Sequence, residues 1–542
     1  MNWIALSAGF EKVRFMPATV APFAYDTIAY PSLTHPQSHP QGLAPKATLL
    51  GLSPAPPDRC RVLELGCGDG FNLASMAAAY PRSSYVGVDL SSQAIERGRR
   101  MLAATGLSAV ELRQASITDV DRSWGEFDYI IAHGVYSWVP PEVREAVLRV
   151  AGSLLAPHGR AFVSYLALPG AHIREMVRSL TRFHTSAMSD PDMKAREAIS
   201  LIGFLGRAST ENSTYHRLMQ TEFESLRNRG TDTLFHDELG DVSAPLYFRD
   251  FCLEAGRHGL QFLSDAEYVE PPSYGLTDEA REMLAPLTGN RLLLEQYLDF
   301  VHGRRFRQTL LCRSTLDVAL QRVRLQHLYI ACDARPVDPP DDLTTDDFLT
   351  FQGMKQAAFR CEHPLTKAVL CELARIYPER MPYSEALRAG IARLGKKVPI
   401  AAADEERLRH FLTRLYAPSL VELHTLPLPF SVSPGERPTA SSLALWLLQQ
   451  ELDHVASLHG KFVTIQGHLG RFLLGLLNGQ RDRGELLEEV RKFLRNAADL
   501  PDTAEESHDK LPDWDAPDLA EQLERALTGL ARLGVLNPAA PE

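Results

Sequence analysis

Between Arg61 and about Leu168, short apolar runs alternate with segments of helical period, the order that builds βα units and a parallel, helix-covered sheet. The runs RVLELG (61–66), SYVGVDL (84–90), VELRQAS (110–116), FDYIIAHG (127–134) and GRAFVSYLAL (159–168) predict strands. Segments near 71–80, 92–105, 141–155 and 171–185 predict the helices between and after them. From about Asp190 to Arg229 the sequence is charged and helix-favouring, with no strand pattern; the turn-rich DTLFHDELGDVSAPLYF (232–248) follows. This predicts a helical insertion that ends in a structured loop. A helix around 248–258 leads to GLQFLSDAEY (259–268), and RRFRQTLLCRS (304–314) is a second β-like run. Both are expected to complete the first sheet as its last two strands.

Further along, VDPPDDLTTDD (337–347) is rich in Pro and Asp and reads as a linker. LTKAVLCELARIY (365–377) carries Val369, Leu373 and Ile376 at helical spacing and is stopped by Pro378. A second boundary falls near SPGERPTASS (433–442), and the stretches 442–458, 470–479 and 481–494 then predict a small helical domain. The acidic segment 501–518 reads as a surface loop or a disordered stretch.

Composition narrows the class. The 542 residues imply about three or four domains at roughly 100–200 residues each, so no single motif can account for the chain. Hydrophobic residues at 45%, charged at 23% and aromatic at 8% are globular usage. The net charge of −11 gives no overall basic field for a nucleic acid or an anionic membrane. Seven cysteines, with no CxxC pair and no zinc spacing, read as reduced thiols of a cytoplasmic protein, and no metal is expected. Glu11, Lys12 and Arg14 interrupt the N-terminal apolar stretch, which argues against a signal peptide, and no run approaches a membrane span.

The chemistry-bearing motif is Glu64-Leu65-Gly66-Cys67-Gly68-Asp69-Gly70, between a strand and a helix, with Asp89 closing the next strand nineteen residues after Gly70. Glycines there allow a sharp turn and close approach of backbone to a ligand, and a carboxylate at that distance can hold two ribose hydroxyls. The pattern ExGxGxG differs from the GxGxxG of pyrophosphate-binding folds. It resembles motif I of class I S-adenosylmethionine-dependent methyltransferases, and GVDLSSQAIERGRR resembles their second motif. The resemblance implies an α/β, Rossmann-like methyltransferase sheet and S-adenosylmethionine as cofactor, with S-adenosylhomocysteine as product. It also implies that Glu64, Gly66, Gly68 and Gly70 line the amino-acid end of the cofactor, that Asn72 belongs to the cofactor site and that Asp89 takes the ribose. Leu90, Ser116 and Ile117 would flank the adenine, and His133, Gly134 and Val135 would lie near the sulfur.

A narrower resemblance spans roughly residues 20–315. Tyr25-Asp26-x-x-x-Tyr30-Pro31-Ser32, Pro36-Gln37-Ser38-His39-Pro40, Ala132 through Pro140, and Leu234 through Leu239 are similar to bacterial methyltransferases carrying a methyltransferase regulatory domain. That family includes rickettsial protein-lysine methyltransferases that modify an outer-membrane protein. It implies that Tyr30 and His39 cover the cofactor. Where the family pattern reads SYNTxPGW after the fifth strand, this chain has Leu166 and Ala171 in place of the amide and the indole.

The resemblance and the pattern together imply residues 1–45 as a segment covering the cofactor site, 46–185 as the methyltransferase core, and 186–247 as a helical lid. Residues 248–316 complete the core, 317–435 form a regulatory or middle domain, and 436–542 form a mostly helical, winged-helix-like domain. That last domain suits dimerisation, which leaves a homodimer open, or regulation, and alternatively the binding of a peptide substrate, since residues 463–490 look somewhat like small peptide-clasping domains.

Other candidates are weighed by position. Tyr136, Trp138 and Tyr165 follow strand C-termini and are either core plugs or an aromatic wall that holds a cationic amine. His236 lies in the turn-rich segment, where it could orient an amine, and Asp237 beside it could simply cap a helix. His35-x-x-x-His39 is spoiled as a metal pair by Pro36. The basic clusters ERGRR (96–100) and HGRRFR (302–307) read mainly as solvated faces and salt-bridge partners. AHGVYSWVPP (132–141) lacks the [DNS]PP[YFW] of amino-methylating nucleic-acid enzymes, which with the charge disfavours nucleic acid. These features point first to N-methylation of lysine in a protein substrate. Peptide or natural-product tailoring is the alternative, and a non-catalytic cofactor-binding regulator is a third reading.

Overall fold

A computed structural model describes residues 28–269, 276–338, 342–354, 357–395, 399–417, 419–450, 452, 454–498 and 515–538. Tyr25 and Asp26, with the rest of residues 1–27, and residues 501–514 of the acidic segment lie outside the described residues.

The chain enters through α1 (Pro40–Leu49) and then alternates: β1 (Arg61–Leu65), α2 (Phe71–Ala79), β2 (Ser84–Asp89), α3 (Ser92–Thr105), β3 (Val110–Gln114), β4 (Phe127–Ala132), α4 (Pro141–Leu154) and β5 (Leu155–Leu166). An all-helical excursion follows, with α5 (Ala171–Thr185), α6 (Pro191–Ala208), α7 (Thr214–Arg227), α8 (Thr231–Leu239) and α9 (Phe248–Arg257). β6 (Leu260–Asp265), α10 (Asp278–Leu284), α11 (Arg291–His302) and β7 (Phe306–Arg313) return to the sheet. Its order is β3-β2-β1-β4-β5-β7-β6. The first five strands are parallel, and β7 is antiparallel to both of its neighbours.

Strand period 2 explains why both faces are filled. Val62, Tyr85, Tyr129 and Phe162 point into one core, and Leu63, Val86, Ile130 and Val163 into the other. Helix ends follow local chemistry. Ser91 caps α3 through Ala94 N at 3.1 Å, and Gly106 stops it in the left-handed region at φ 71°.

The second half begins with β8 (Tyr329–Cys332), β9 (Arg335–Val337), β10 (Leu349–Gln352), β11 (Ala358–Cys361) and α12 (Pro364–Ile376). It continues through β12 (Met381–Pro382), α13 (Tyr383–Leu394), α14 (Ala402–Tyr416) and β13 (Val421–His424). The last unit holds α15 (Ser442–Gln449), the hairpin β14 (His454–Ala456) and β15 (Phe462–Thr464), α16 (Gly467–Leu476), α17 (Arg483–Ala498) and α18 (Leu519–Arg532). The unit is helical apart from this one small hairpin, hereafter the wing.

Three local expectations are corrected. The turn-rich stretch after Gly230 is a helix, α8: it buries Leu234, His236 and Glu238, and Arg178 caps its end by donating to Asp237 O and, at 2.7 Å, to Gly240 O. The linker expected at 337–347 does not separate two domains, because β9 and β10 on either side of it are adjacent strands of one sheet (Val337 opposite Thr350). Buried Lys367 anchors that connection by donating to Thr345 O at 2.7 Å and Asp347 O at 2.8 Å. The helix expected over 442–458 ends at Gln449, and His454–Ala456 instead pairs with Phe462–Thr464 across a turn containing Gly460 at φ 74°.

The returning strands are locked by buried charge. Arg307, fully buried, meets Asp299 at 2.8 Å and Glu295 at 2.9 Å, while Arg304 reaches Asp265 and Asp299, each at 3.0 Å. Arg305 pairs with Glu222 at 2.7 Å, so the basic cluster at 302–307 is largely engaged by carboxylates of this chain. Removing one partner of a buried network leaves the others uncompensated. Arg307→Ala is expected to destabilise this unit by about 3–5 kcal/mol. Arg100→Ala, which breaks an exposed pair with Glu96, should change stability by under about 1 kcal/mol. Denaturant unfolding of both variants checks the contrast; equal effects would show that the network contributes nothing special.

Candidate active site

The C-terminal ends of β1, β2 and β4 converge on one cleft, and the turn after β1 forms its floor. Gly66, Gly68 and Gly70 all have positive φ, at 70°, 55° and 72°. At Gly66 a Cβ would come within 2.5 Å of Val135 Cγ2, so a glycine is needed for the loops after β1 and β4 to touch. At Gly68 a Cβ would meet nothing within 4 Å, which marks open space above the floor. Asp89 pins the turn: its Oδ2 accepts from Gly68 N at 2.8 Å and its Oδ1 from Ser91 N at 2.9 Å.

Beneath the floor lies a buried polar network. Asn72 Oδ1 accepts from His35 N at 2.8 Å and sits 3.1 Å from His39 Nε2. Its Nδ2 donates to Glu64 Oε1 at 2.8 Å and to Ser38 Oγ at 3.2 Å. Burial, reinforced by Asp69 and Asp89, pushes the Glu64 carboxyl up to about 8 despite the Asn72 bond. Burial holds His35 and His39 at about 4 and His133 well below the ordinary value, so all three rings are neutral at physiological pH.

Residues 28–39 roof the cleft. At one end His236 Nε2 lies 2.9 Å from Ile28 O, and the Tyr30 ring is 5.8 Å from the His236 ring. Further along, Ser32 donates to Asp69, and the His35 ring lies 3.9 Å from the His133 ring, tilted by 46°. The rings of His35 and His39 thus go to different partners, and among the described residues no group of three potential ligands is placed to hold a metal ion.

The structure therefore brings together Tyr30, His39, Glu64, Gly66, Gly68, Gly70, Asn72, Asp89, His133, Gly134 and Val135. Gly134 N donates to Ser164 Oγ at 2.8 Å, and Val135 is buried. At the outer end, Leu90 is 53% exposed, Ser116 accepts from Thr118 N at 3.2 Å, and Ile117 is buried.

The proposed aromatic wall is corrected. Tyr136 and Tyr165 are core residues packed on Phe251 of α9, at centroid distances of 5.4 and 4.2 Å. Their hydroxyls are engaged by Glu254 at 2.5 Å and Thr309 at 3.1 Å. Trp138 lies under two guanidinium groups, Arg174 at 5.0 Å and Arg178 at 5.2 Å, and so helps fasten α5. Leu166 and Ala171, the departures from the family pattern, are both buried. Sequence reasoning missed Ser32, Ser38, Asp69 and Ser75 as site partners. Their only local signal is a run of Ser and His around Pro36, whose neighbours are 34 or more residues away in the chain.

Comparison with known proteins now bears on the site. A methyltransferase-domain family model matches residues 62–159, a predicted methyltransferase regulatory domain 230–313, and the PKMT C-terminal winged helix domain 436–535. The uncharacterized protein RP028 of Rickettsia prowazekii is 36% identical over 242 residues, covering 44% of this chain and 96% of that protein. RP789 of the same organism, also uncharacterized, is 32% identical over 354 residues, and the chain spans only 64% of its length. The structure of PKMT2 from Rickettsia typhi in complex with AdoHcy superimposes with a TM-score of 0.80 at 25% identity, covering 94% of this chain and 99% of that one.

The chain belongs to the class I S-adenosylmethionine-dependent methyltransferases.

In this methyltransferase the regulatory-domain match runs from α8 to β7 and includes the strands that complete the sheet; it does not fall on residues 317–435. Among the described residues no helix is long and apolar enough to cross a membrane. The cleft also fits the cofactor on its own evidence. Glu64 Oε2 and His133 Nδ1 are buried without a hydrogen-bond partner among the described residues, at the ends of the two strands flanking the open space over Gly68.

Because Glu64 binds its proton more tightly folded than unfolded, its contribution to stability is fully present below about 4.5 and is lost as pH rises through about 8. The cofactor-free enzyme should therefore lose about 1.4 kcal/mol per pH unit between pH 5 and 8 relative to Glu64→Gln. Thermal unfolding across that range tests this; parallel pH profiles would show that the carboxyl titrates normally.

Proposed function

We propose that this enzyme methylates lysine side chains of a protein substrate. The single observation that supports the acceptor class is the whole-chain likeness to PKMT2, which extends through the winged-helix domain to 94% of the chain. A methyltransferase core alone needs far fewer residues, and the additional domains give a macromolecular acceptor something to hold. The net charge of −11 suits a basic side chain better than a polyanion. All seven cysteines are free thiols, in keeping with a cytoplasmic protein.

S-adenosylmethionine supplies an electrophilic methyl group on a sulfonium. In our reading, Glu64, Asn72 and the Gly66–Gly70 turn hold its amino-acid end. Asp89, held by backbone N–H groups of Gly68 and Ser91 at 2.8 and 2.9 Å, is placed to take the two ribose hydroxyls. Leu90, Ser116 and Ile117 border the adenine, while His133, Gly134 and Val135 border the transfer point. The lysine must arrive as a neutral amine, against an ordinary value near 10.4. The neutral His133–His35 pair can accept a hydrogen bond from the amine, and the roof of residues 28–39 limits water around it. With Tyr136 and Tyr165 engaged in the core, no strong base is assigned, and the amine's proton leaves to solvent.

Incubation with methyl-labelled cofactor and a cell lysate should yield labelled protein whose hydrolysate contains methylated lysine. Asp89→Ala should weaken cofactor binding at least tenfold, a change of about 1.4 kcal/mol. Label confined to small molecules, or recovered from another amino acid, would overturn the acceptor assignment.

A further inference from the structure

The wing of the C-terminal domain touches the cofactor cleft, and we propose that His459, Gly460 and Phe462 are positioning residues that set cofactor affinity through His39, Phe71 and Asn72. The proposal rests on the reading that Glu64 and Asn72 meet the cofactor's amino-acid end.

Three contacts carry it. Gly460, at the tip of the β14–β15 hairpin, lies against the His39 ring so closely that a Cβ would stand 2.3 Å from Cε1 and 2.6 Å from Nδ1. Gln41 bridges the wing to α2: its Nε2 donates to His459 O at 2.9 Å, and its Oε1 accepts from Tyr80 OH at 3.2 Å. Phe462 stacks on Phe71, the first residue of α2, with centroids 5.7 Å apart and planes at 17°. The wing thereby holds both ends of α2, the helix that carries Asn72, and α15 packs on α2 and α3 behind it.

The imidazole of His39 is the transmitting group. It is buried with Gly460 on one edge and Asn72 and Ser75 on the other, at 3.1 and 3.3 Å from Nε2. A proton on Nε2 is donated to Asn72 Oδ1, which turns the amide nitrogen of Asn72 toward Glu64. If the ring shifts, that amide can rotate and set an oxygen against the carboxyl, an arrangement that is repulsive once Glu64 is ionised to hold the cofactor's ammonium. The winged-helix domain thus acts on the cofactor site without touching the cofactor, and a partner that pulls the wing away would lower cofactor affinity.

The test uses the full-length enzyme. Phe462→Ala and Gly460→Ala are expected to raise the Kd for S-adenosylhomocysteine, measured by calorimetry, at least tenfold. KM for S-adenosylmethionine should rise in step, with kcat at saturating cofactor within about twofold of wild type. Phe462→Tyr should restore near-wild-type affinity. Phe472→Ala, which removes the Phe472–Phe493 stack elsewhere in the same domain, should leave Kd unchanged even where it lowers Tm. Unchanged Kd in both wing variants beside a raised Kd in Asn72→Ala overturns the wing's role alone. An equal rise in Phe472→Ala overturns it too, by assigning the effect to domain stability. Unchanged Kd in Asn72→Ala removes the reading on which the inference rests.

Discussion

The carboxyl of Glu64 is the group around which this cleft is organised. It is 3% exposed on a central strand, and a carboxylate so placed is costly unless it is bonded or neutral. One oxygen is met by Asn72, and the other has no partner among the described residues. The surroundings are arranged to keep that state. Asn72 is fixed by two histidine residues and a serine from the segment before the sheet, and His39 is in turn backed by the wing some 420 residues later in the chain. Residues from three regions of sequence therefore converge on one buried polar group.

The sheet imposes the second constraint. β7 must pass antiparallel between β5 and β6, so the chain leaves after β5, builds α5 to α9, and returns. That return brings Arg304 and Arg307 beside carboxylates of α11 and β6, and charge pairing inside the protein fixes the register that apolar residues alone leave loose. It also sets α8 against the roof of the cleft through His236 and Ile28. The excursion is thus both an insertion and a wall of the site.

How much of this was legible in the chain depended on how local the cause was. The strands RVLEL, SYVGVD and FDYIIA are continuous apolar runs because both faces of the sheet are covered, and their turn glycines announce the cleft. The helix α8 was hidden because its polar residues His236, Asp237 and Glu238 look solvated until Arg174 and Arg178 are placed beside them. Tyr136 and Tyr165 follow strand ends, where ligands bind, yet only the arrival of Phe251 shows that they face the core. The wing was read as helix because Leu, Gln and Glu around residue 450 favour one, and the competing hairpin takes its stability from pairing and from packing on Phe71.

The electrostatics of the cleft explain why its glycine turn differs in meaning from that of a dinucleotide site. Glu64, Asp69 and Asp89 crowd around one turn, and the latter two push the Glu64 carboxyl further up. The three histidines nearby are held neutral by burial and add no positive charge. A pyrophosphate entering this space would meet carboxylates where a phosphate site presents helix N–H groups and positive charge. A ligand carrying an ammonium and a sulfonium instead relieves the crowding and favours ionisation of Glu64, so its binding should be coupled to release of a proton. The acidic residues that crowd this turn favour a cationic ligand over the phosphorylated nucleosides bound by related folds.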